Sequence, residues 1–150
     1  MEHPNEIIMT IPDLIKGDVF TDHRGSLSFV NDFDMSVVKR FYTIEHPEIS
    51  VVRAWQGHQI EQKWFYVTKG RFLMAWVKPD NWESPSKDLV VETVVLDATE
   101  SSVLHIPAGH ANGFKALDPN SKIIVFSDRS LEDAKDDNYR FDASLWMDWE

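Results

Sequence analysis

Arg53–Gly70 reads RAWQGHQIEQKWFYVTKG, and it sets Arg53, Gln56, His58, Glu61, Gln62 and Lys63 between β-prone runs that end on a glycine. Polar side chains therefore stand where a sheet protein ordinarily buries apolar ones, which is how a site looks. The spacing Gln56-x-His58-x4-Lys63-x6-Gly70 is followed further on by a second fragment, Pro107-x-Gly109-x2-Asn112. Period-two alternation puts Gln56 and His58 on one face of their strand. Arg53 has the opposite parity from Gln56, so it reaches the same pocket only through a bulge or from a facing subunit.

Working outward, Val51–Gln56, Gln62–Thr68 and Arg71–Lys78 read as strands, the last two joined by a tight turn at Lys69-Gly70. Upstream, Asp22-His23-Arg24-Gly25 is a turn signal inside Val19–Asn31, and Val37–Ile44 is a β-branched and aromatic run closed by His46-Pro47. Downstream come Leu89–Leu96, Ser102–Ile106 and Lys122–Ser127, separated by DATE, PAGHANG and LDPNS, which is turn chemistry. Strand centres spaced by about 8–12 residues mark a sandwich or barrel, not alternating βα units. Pro79–Lys87 is a proline-rich loop that either presents Trp82 to a ligand or partner or is a long hairpin connection. Only Leu131–Asp137 looks helical. The aromatic tail, with Tyr139, Phe141, Trp146 and Trp149, is expected to pack on the barrel or on a second subunit.

A chain of 150 residues, 43% hydrophobic and 12% aromatic, suits one domain spanning residues 1–150. Its 25 acidic and 15 basic residues give a net charge of -10, which disfavours nucleic acid and anionic membranes as partners. A local group of arginines and lysines can still hold a small anion. Without cysteine there are no disulfides, thiolate metal sites or thiol nucleophiles. The start, MEHPNEIIMTIPDLI, has no basic n-region or long apolar run, so no signal peptide or membrane span is expected and a cytoplasmic location is the default.

Four fragments in order resemble the RmlC-like branch of the cupins, which includes dTDP-4-dehydrorhamnose 3,5-epimerase and the sugar 3,4-ketoisomerases. Asp22-x-Arg24-Gly25-Ser26-Leu27 is similar to the family's DxRGxL, Val38–Tyr42 to the isomerases' KRxYY strand, and Arg53–His58 to their RGxHAH segment. Ile106–Phe114, IPAGHANGF, resembles the epimerases' IPxGFAHGF. The resemblance runs from about Asp22 to Asp142. It implies an all-β cupin double-stranded β-helix, or jelly roll, with one short C-terminal helix, and a homodimer. It also implies an epimerase or ketoisomerase acting on a nucleotide-linked 4-keto-6-deoxyhexose in surface-polysaccharide synthesis.

The departures from the family are specific. The position of the epimerases' base histidine is Gln56 here, the histidine of AHGF is Asn112, and Lys122–Ser127 lacks the epimerases' acid tyrosine. The positions that in metal cupins carry His, His, Glu and His are Gln56, His58, Lys63 and Asn112, so no metal and no other cofactor is expected. His58 matches the second histidine of the ketoisomerases' HAH and is the candidate base, unless it is a hydrogen-bonded structural histidine. Lys63 is the candidate to hold an enolate oxygen, and the Gln56 amide a further donor to it. Arg24 and Arg53 suit a diphosphate or, alternatively, surface ion pairs. His110 and Asn112 stand at the mouth, His110 pointing either inward or to solvent, and Tyr66 either stacks on a base or sugar or fills the core. The competing class is a sugar or nucleotide-sugar binding cupin that has lost the base.

Overall fold

The computed structural model describes residues 11–150, so most of the N-terminal stretch read for a targeting signal lies outside the described residues. Its strands run β1 (Asp13–Lys16), β2 (Asp18–Asp22), β3 (Gly25–Phe29), β4 (Arg40–His46), β5 (Val52–His58), β6 (Lys63–Lys69), β7 (Arg71–Val77), β8 (Glu92–Asp97), β9 (Ser102–Ile106), β10 (His110–Ala116) and β11 (Ser121–Ser127). A four-residue helix, α1 (Leu131–Ala134), and a short strand, β12 (Tyr139–Arg140), follow. One sheet has the order β1-β9-β6-β11-β4 and the other β12-β5-β10-β7-β8, with β2 and β3 forming a separate hairpin. All pairings are antiparallel. From β4 to β11 the chain changes sheets at every connection except the β7–β8 hairpin, which is the winding of a jelly roll.

Alternation explains the core. On β6, Phe65 and Val67 point between the sheets and meet Phe72 and Met74 of β7, Leu104 of β9, Phe114 of β10 and Val125 of β11. Lys63 begins the same inward row, so a buried ammonium crowns a hydrophobic column. The run Phe72–Val77 does not alternate in sequence because β7 is covered on both faces. Its outward residues Ala75 and Val77 pack with Trp55, Ala111 and Trp149, flanked by Phe141 and Trp146. The aromatic tail thus lies on its own barrel. Trp82 joins this outer layer over Gly57, with its ring 5.0 Å from that of Tyr139, and so the loop Pro79–Lys87 secures the sheet.

Two sequence expectations are corrected. The segment PAGHANG, read as a separator, is largely strand: His110–Ala116 forms β10, in the middle of the second sheet. Its small residues answer to packing, because a Cβ on Gly113 would sit 2.7 Å from the Ala54 Cβ and 2.8 Å from the Trp149 ring. The helix, expected over Leu131–Asp137, ends at Ala134; it starts at Ser130, whose hydroxyl accepts from the Asp133 amide. The chain after it supplies Asp137 and Asn138 to the site described next.

Candidate active site

The inward row of β5 is shaped by a bulge. Asn112 of β10 lies opposite Gln56 and Phe114 opposite Arg53, so β5 carries one residue more than β10 between these pairs. The extra residue returns Arg53 to the face of Gln56, while Trp55 turns outward into the tail layer. Of the two routes open to Arg53, the bulge is present. A cavity of about 770 Å³ results, lined among others by Tyr42, Arg53, Gln56, Lys63, Asn112 and Arg140. Arg53, an exposed residue of the cavity wall, donates through Nε to His46 Nε2 over 3.1 Å, and the His46 ring stacks on Phe114. Burial, then the Arg53 charge, pushes the His46 pKa below its ordinary value, consistent with a neutral ring that accepts.

Lys63 organises the centre. Its Nζ donates to the Tyr42 hydroxyl at 3.1 Å and to Gln56 Oε1 at 3.3 Å, and Gln56 Nε2 in turn donates to Asn138 Oδ1 at 3.0 Å. The Gln56 amide is therefore tied at both ends. An ammonium has three donors, and among the described residues only two acceptors engage this one, leaving a donor for an incoming oxygen. The Tyr42 ring is flanked by two cations, with Arg40 Cζ 5.3 Å and Lys63 Nζ 5.7 Å from its centroid.

His58 lines a smaller neighbouring cavity of about 290 Å³ that shares Tyr42, Gln56 and Lys63 with the larger one. Its Nδ1 is 2.6 Å from the Asp137 carbonyl oxygen, an acceptor only, so Nδ1 carries the proton and donates. Nε2 is then the lone-pair nitrogen, and it is buried without a hydrogen-bond partner among the described residues. Burial, then the Lys63 charge, lowers the pKa of this imidazole, while the Asp137 carbonyl and the Glu61 carboxylate oppose them. A histidine kept neutral with a free, fixed Nε2 is a proton acceptor in waiting.

The turn after α1 fixes that geometry. The Asp137 carboxylate accepts from the amides of Gln59, Ile60 and Glu61 at 2.7, 2.9 and 2.8 Å, while its own carbonyl holds His58. Glu61 approaches His58 Nδ1 at 3.2 Å. Tyr42 and Asp137 are members of the candidate site that sequence reasoning missed, and Glu61, singled out within Arg53–Gly70, was given no role there. Tyr42 had two signals, its place in the fragment similar to KRxYY and the alternation Arg40-x-Tyr42-x-Ile44-x-His46, whose members are the less exposed residues of β4.

Of the candidate residues, His58, Lys63, Gln56, Arg53 and Asn112 are brought together around these cavities. Three are not. Arg24 sits at the tip of the β2–β3 hairpin, 76% exposed at its side chain and paired with Asp22 at 2.7 Å. Tyr66 alternates outward from Phe65, and its hydroxyl meets Ser101 Oγ at 3.1 Å. His110 faces His58 across the β5–β10 pairing and is buried, but its Nδ1 donates to the turn carbonyls of Pro107 and Ala108 and it lines neither cavity. Among the described residues no three His, Asp or Glu side chains gather as a metal-binding group.

No family model matches the sequence. The Mycobacterium tuberculosis rmlC epimerase superposes with a TM-score of 0.74 at 18% identity, over 96% of this chain and 76% of that one. This is the RmlC-like cupin fold. A variant of the 3,4-ketoisomerase QdtA from Thermoanaerobacterium thermosaccharolyticum, in complex with TDP-4-keto-6-deoxyglucose, matches with a TM-score of 0.67 at 18% identity, over 89% of this chain and 90% of that one. In sequence, the chain is 28% identical over 141 residues to the probable low-salt glycan biosynthesis epimerase Agl13 of Haloferax volcanii, covering 89% of this chain and 85% of that protein. In this chain β5, β6 and β10 meet at the two cavities, whose walls carry Gln56, His58, Lys63 and Asn112.

Proposed function

We propose that this protein is an epimerase or ketoisomerase of a nucleotide-linked 4-keto-6-deoxyhexose, working by metal-free proton abstraction next to the ketone. The observation that carries the reading is His58: a buried imidazole with Nδ1 committed to the Asp137 carbonyl and Nε2 left free, in a cavity it shares with Lys63 and Tyr42. The C–H proton passes to Nε2, and the electron pair moves onto the ketone oxygen, which accepts from the spare donor of Lys63. The Tyr42 hydroxyl, held by Lys63, is the group placed to return a proton. The larger cavity, about 770 Å³, is of a size for a ligand beyond a single sugar ring. Arg53 spends only Nε on His46 among the described residues and keeps both Nη groups for phosphate oxygens. The ligand of the similar ketoisomerase and the name of the archaeal relative support this substrate class and a biosynthetic role.

A thermal-shift screen of dTDP-, UDP-, GDP- and CMP-sugars identifies the ligand. A saturating ligand at a hundred times its Kd adds about 2.7 kcal/mol of apparent stability. Solvent deuterium exchange next to the ketone, read by mass spectrometry, then tests turnover: His58→Ala should lower it by about 10²–10⁴-fold with binding retained. A binding protein without chemistry is the second reading, favoured by the Gln56 amide, which is engaged by Lys63 and Asn138. Binding without any exchange in the wild type selects it.

We further infer a cytoplasmic homodimer. Among the described residues no helix is long and apolar enough to cross a membrane. The β2–β3 hairpin exposes Phe20 at 58% and Leu27 at 59%, and the edge strand β4 exposes Phe41 at 66%, an apolar set that suits a second copy. Sedimentation equilibrium finding only monomer at micromolar concentration argues against the dimer.

A further inference from the structure

Glu61 takes no part in the steps above, yet its carboxylate lies in the interior, 2% exposed. Its two oxygens are divided. Oε1 lies 3.2 Å from His58 Nδ1, whereas Oε2 accepts from Arg40 Nη2 at 3.0 Å and from the Ser127 hydroxyl. The Glu61 amide is itself anchored on the Asp137 carboxylate, so the backbone that carries the side chain is fixed by the residue whose carbonyl holds His58. A buried carboxylate is costly unless paired and hydrogen-bonded, and three partners on two oxygens supply that pairing.

We propose that Glu61 is a positioning residue for His58: it holds the imidazole with Nε2 toward the reacting carbon and steadies the positive ring formed when Nε2 takes the proton. The inference rests on the reading of His58 as base and deepens it. Charged and titratable groups face His58 from several elements: Lys63 on β6, Glu61 and Asp137 from the adjoining turns, Arg40 on β4 through Glu61, and His110 opposite on β10. Lys63 and burial oppose a cationic ring. Glu61 works against them together with the Asp137 carboxylate, and its Oε1 stands 3.2 Å from Nδ1. In the reaction the substrate proton moves to Nε2 and passes from there to solvent, while Tyr42 supplies the proton that returns to substrate and is reprotonated from solvent. The Nδ1 proton stays on the ring, and Glu61 accepts none.

The test is the titration of the His58 imidazole, followed by NMR in the full chain, together with the pH profile of deuterium exchange. Glu61→Gln keeps the shape and removes the charge. It should lower the His58 midpoint by about one pH unit or more, a tenfold loss of proton affinity, without moving those of His105 and His110. Arg40→Met frees the carboxylate from its competing cation and should move the same midpoint upward, with the Ser127 hydroxyl and His58 left as the partners of Glu61. The acid limb of the exchange profile should follow each shift. An unmoved His58 midpoint in folded Glu61→Gln overturns the proposal. If that variant does not fold, Arg40→Met decides alone, a rise supporting the role and an unchanged midpoint overturning it. Opposite shifts in the two variants, with no exchange by wild type on any bound 4-keto sugar nucleotide, leave Glu61 its role and remove the catalytic reading.

Discussion

Asp137→Ala separates the framework of the site from its chemistry. The carboxylate accepts from three successive backbone amides, Gln59, Ile60 and Glu61, and the mutation removes all three bonds while retaining the backbone carbonyl that holds His58. A hydrogen bond to a charged group contributes about 1.5–3 kcal/mol, and a buried donor left unpaired costs a similar amount. Gln59 and Ile60 are exposed, so water can replace the lost acceptor at their amides in part, but the Glu61 amide is interior. The summed loss is then about 3–4 kcal/mol. For a chain of this size that lowers Tm by about 10 °C. Asp137→Asn keeps one acceptor oxygen and should lose about half as much. Urea unfolding gives the energies, and native-state amide exchange at residues 59–61 locates them. A loss below about 1 kcal/mol, with those three amides still as protected as in wild type, would refute the view that this carboxylate holds the loop.

Four histidines, His46, His58, His105 and His110, have pKa values pushed down, in each case first by burial. The unfolded chain takes up their protons near pH 6.5 and the folded chain only at lower pH, so stability should be level above about pH 6.5 and fall as pH drops through it. Each histidine contributes a slope of at most about 1.4 kcal/mol per pH unit, and a urea midpoint that stays constant down to pH 5.5 contradicts this. Gly113→Ala should cost about 1–3 kcal/mol, because the new Cβ meets Ala54 at 2.7 Å and the Trp149 ring at 2.8 Å. Gly57→Ala meets only side-chain rings, that of Trp82 on its loop first, and should cost less in the same denaturation assay. Chelators should leave both melting and exchange unchanged, given an amide at Gln56 and an ammonium at Lys63; one equivalent of transition metal in purified protein would show the opposite.

The jelly roll was legible because turn residues and strand spacing are local properties, and every strand of the two large sheets except β1, β10 and β12 was marked by them. β10 was hidden by composition: Ala111, Asn112 and Gly113 resemble a loop, and only the packing of Ala54 and Trp149 against them explains why a central strand has such small residues. The site divides in the same way. Gln56, His58 and Lys63 were found because alternation and spacing fix their relation within one continuous stretch. Tyr42 and Asp137 act from 21 and 79 residues away, on Lys63 and His58, through contacts that exist only once the strands have paired. Arg24 illustrates the converse, a guanidinium with suitable chemistry that the hairpin holds at an exposed turn against Asp22.

The extra residue in β5 makes the placement of Arg53 a matter of counting as well as of side-chain identity. Deleting one codon between Arg53 and Gln56 would restore regular pairing with β10 and turn the guanidinium to the opposite face of the sheet, without substituting any residue. Among proteins of this fold, a gap of one in this strand therefore separates chains that share an arginine in the alignment from chains that share it in the pocket. Under the proposed phosphate role of Arg53, ligand preference would be gained or lost here by insertion and deletion, a kind of change that residue-by-residue substitution scans do not sample.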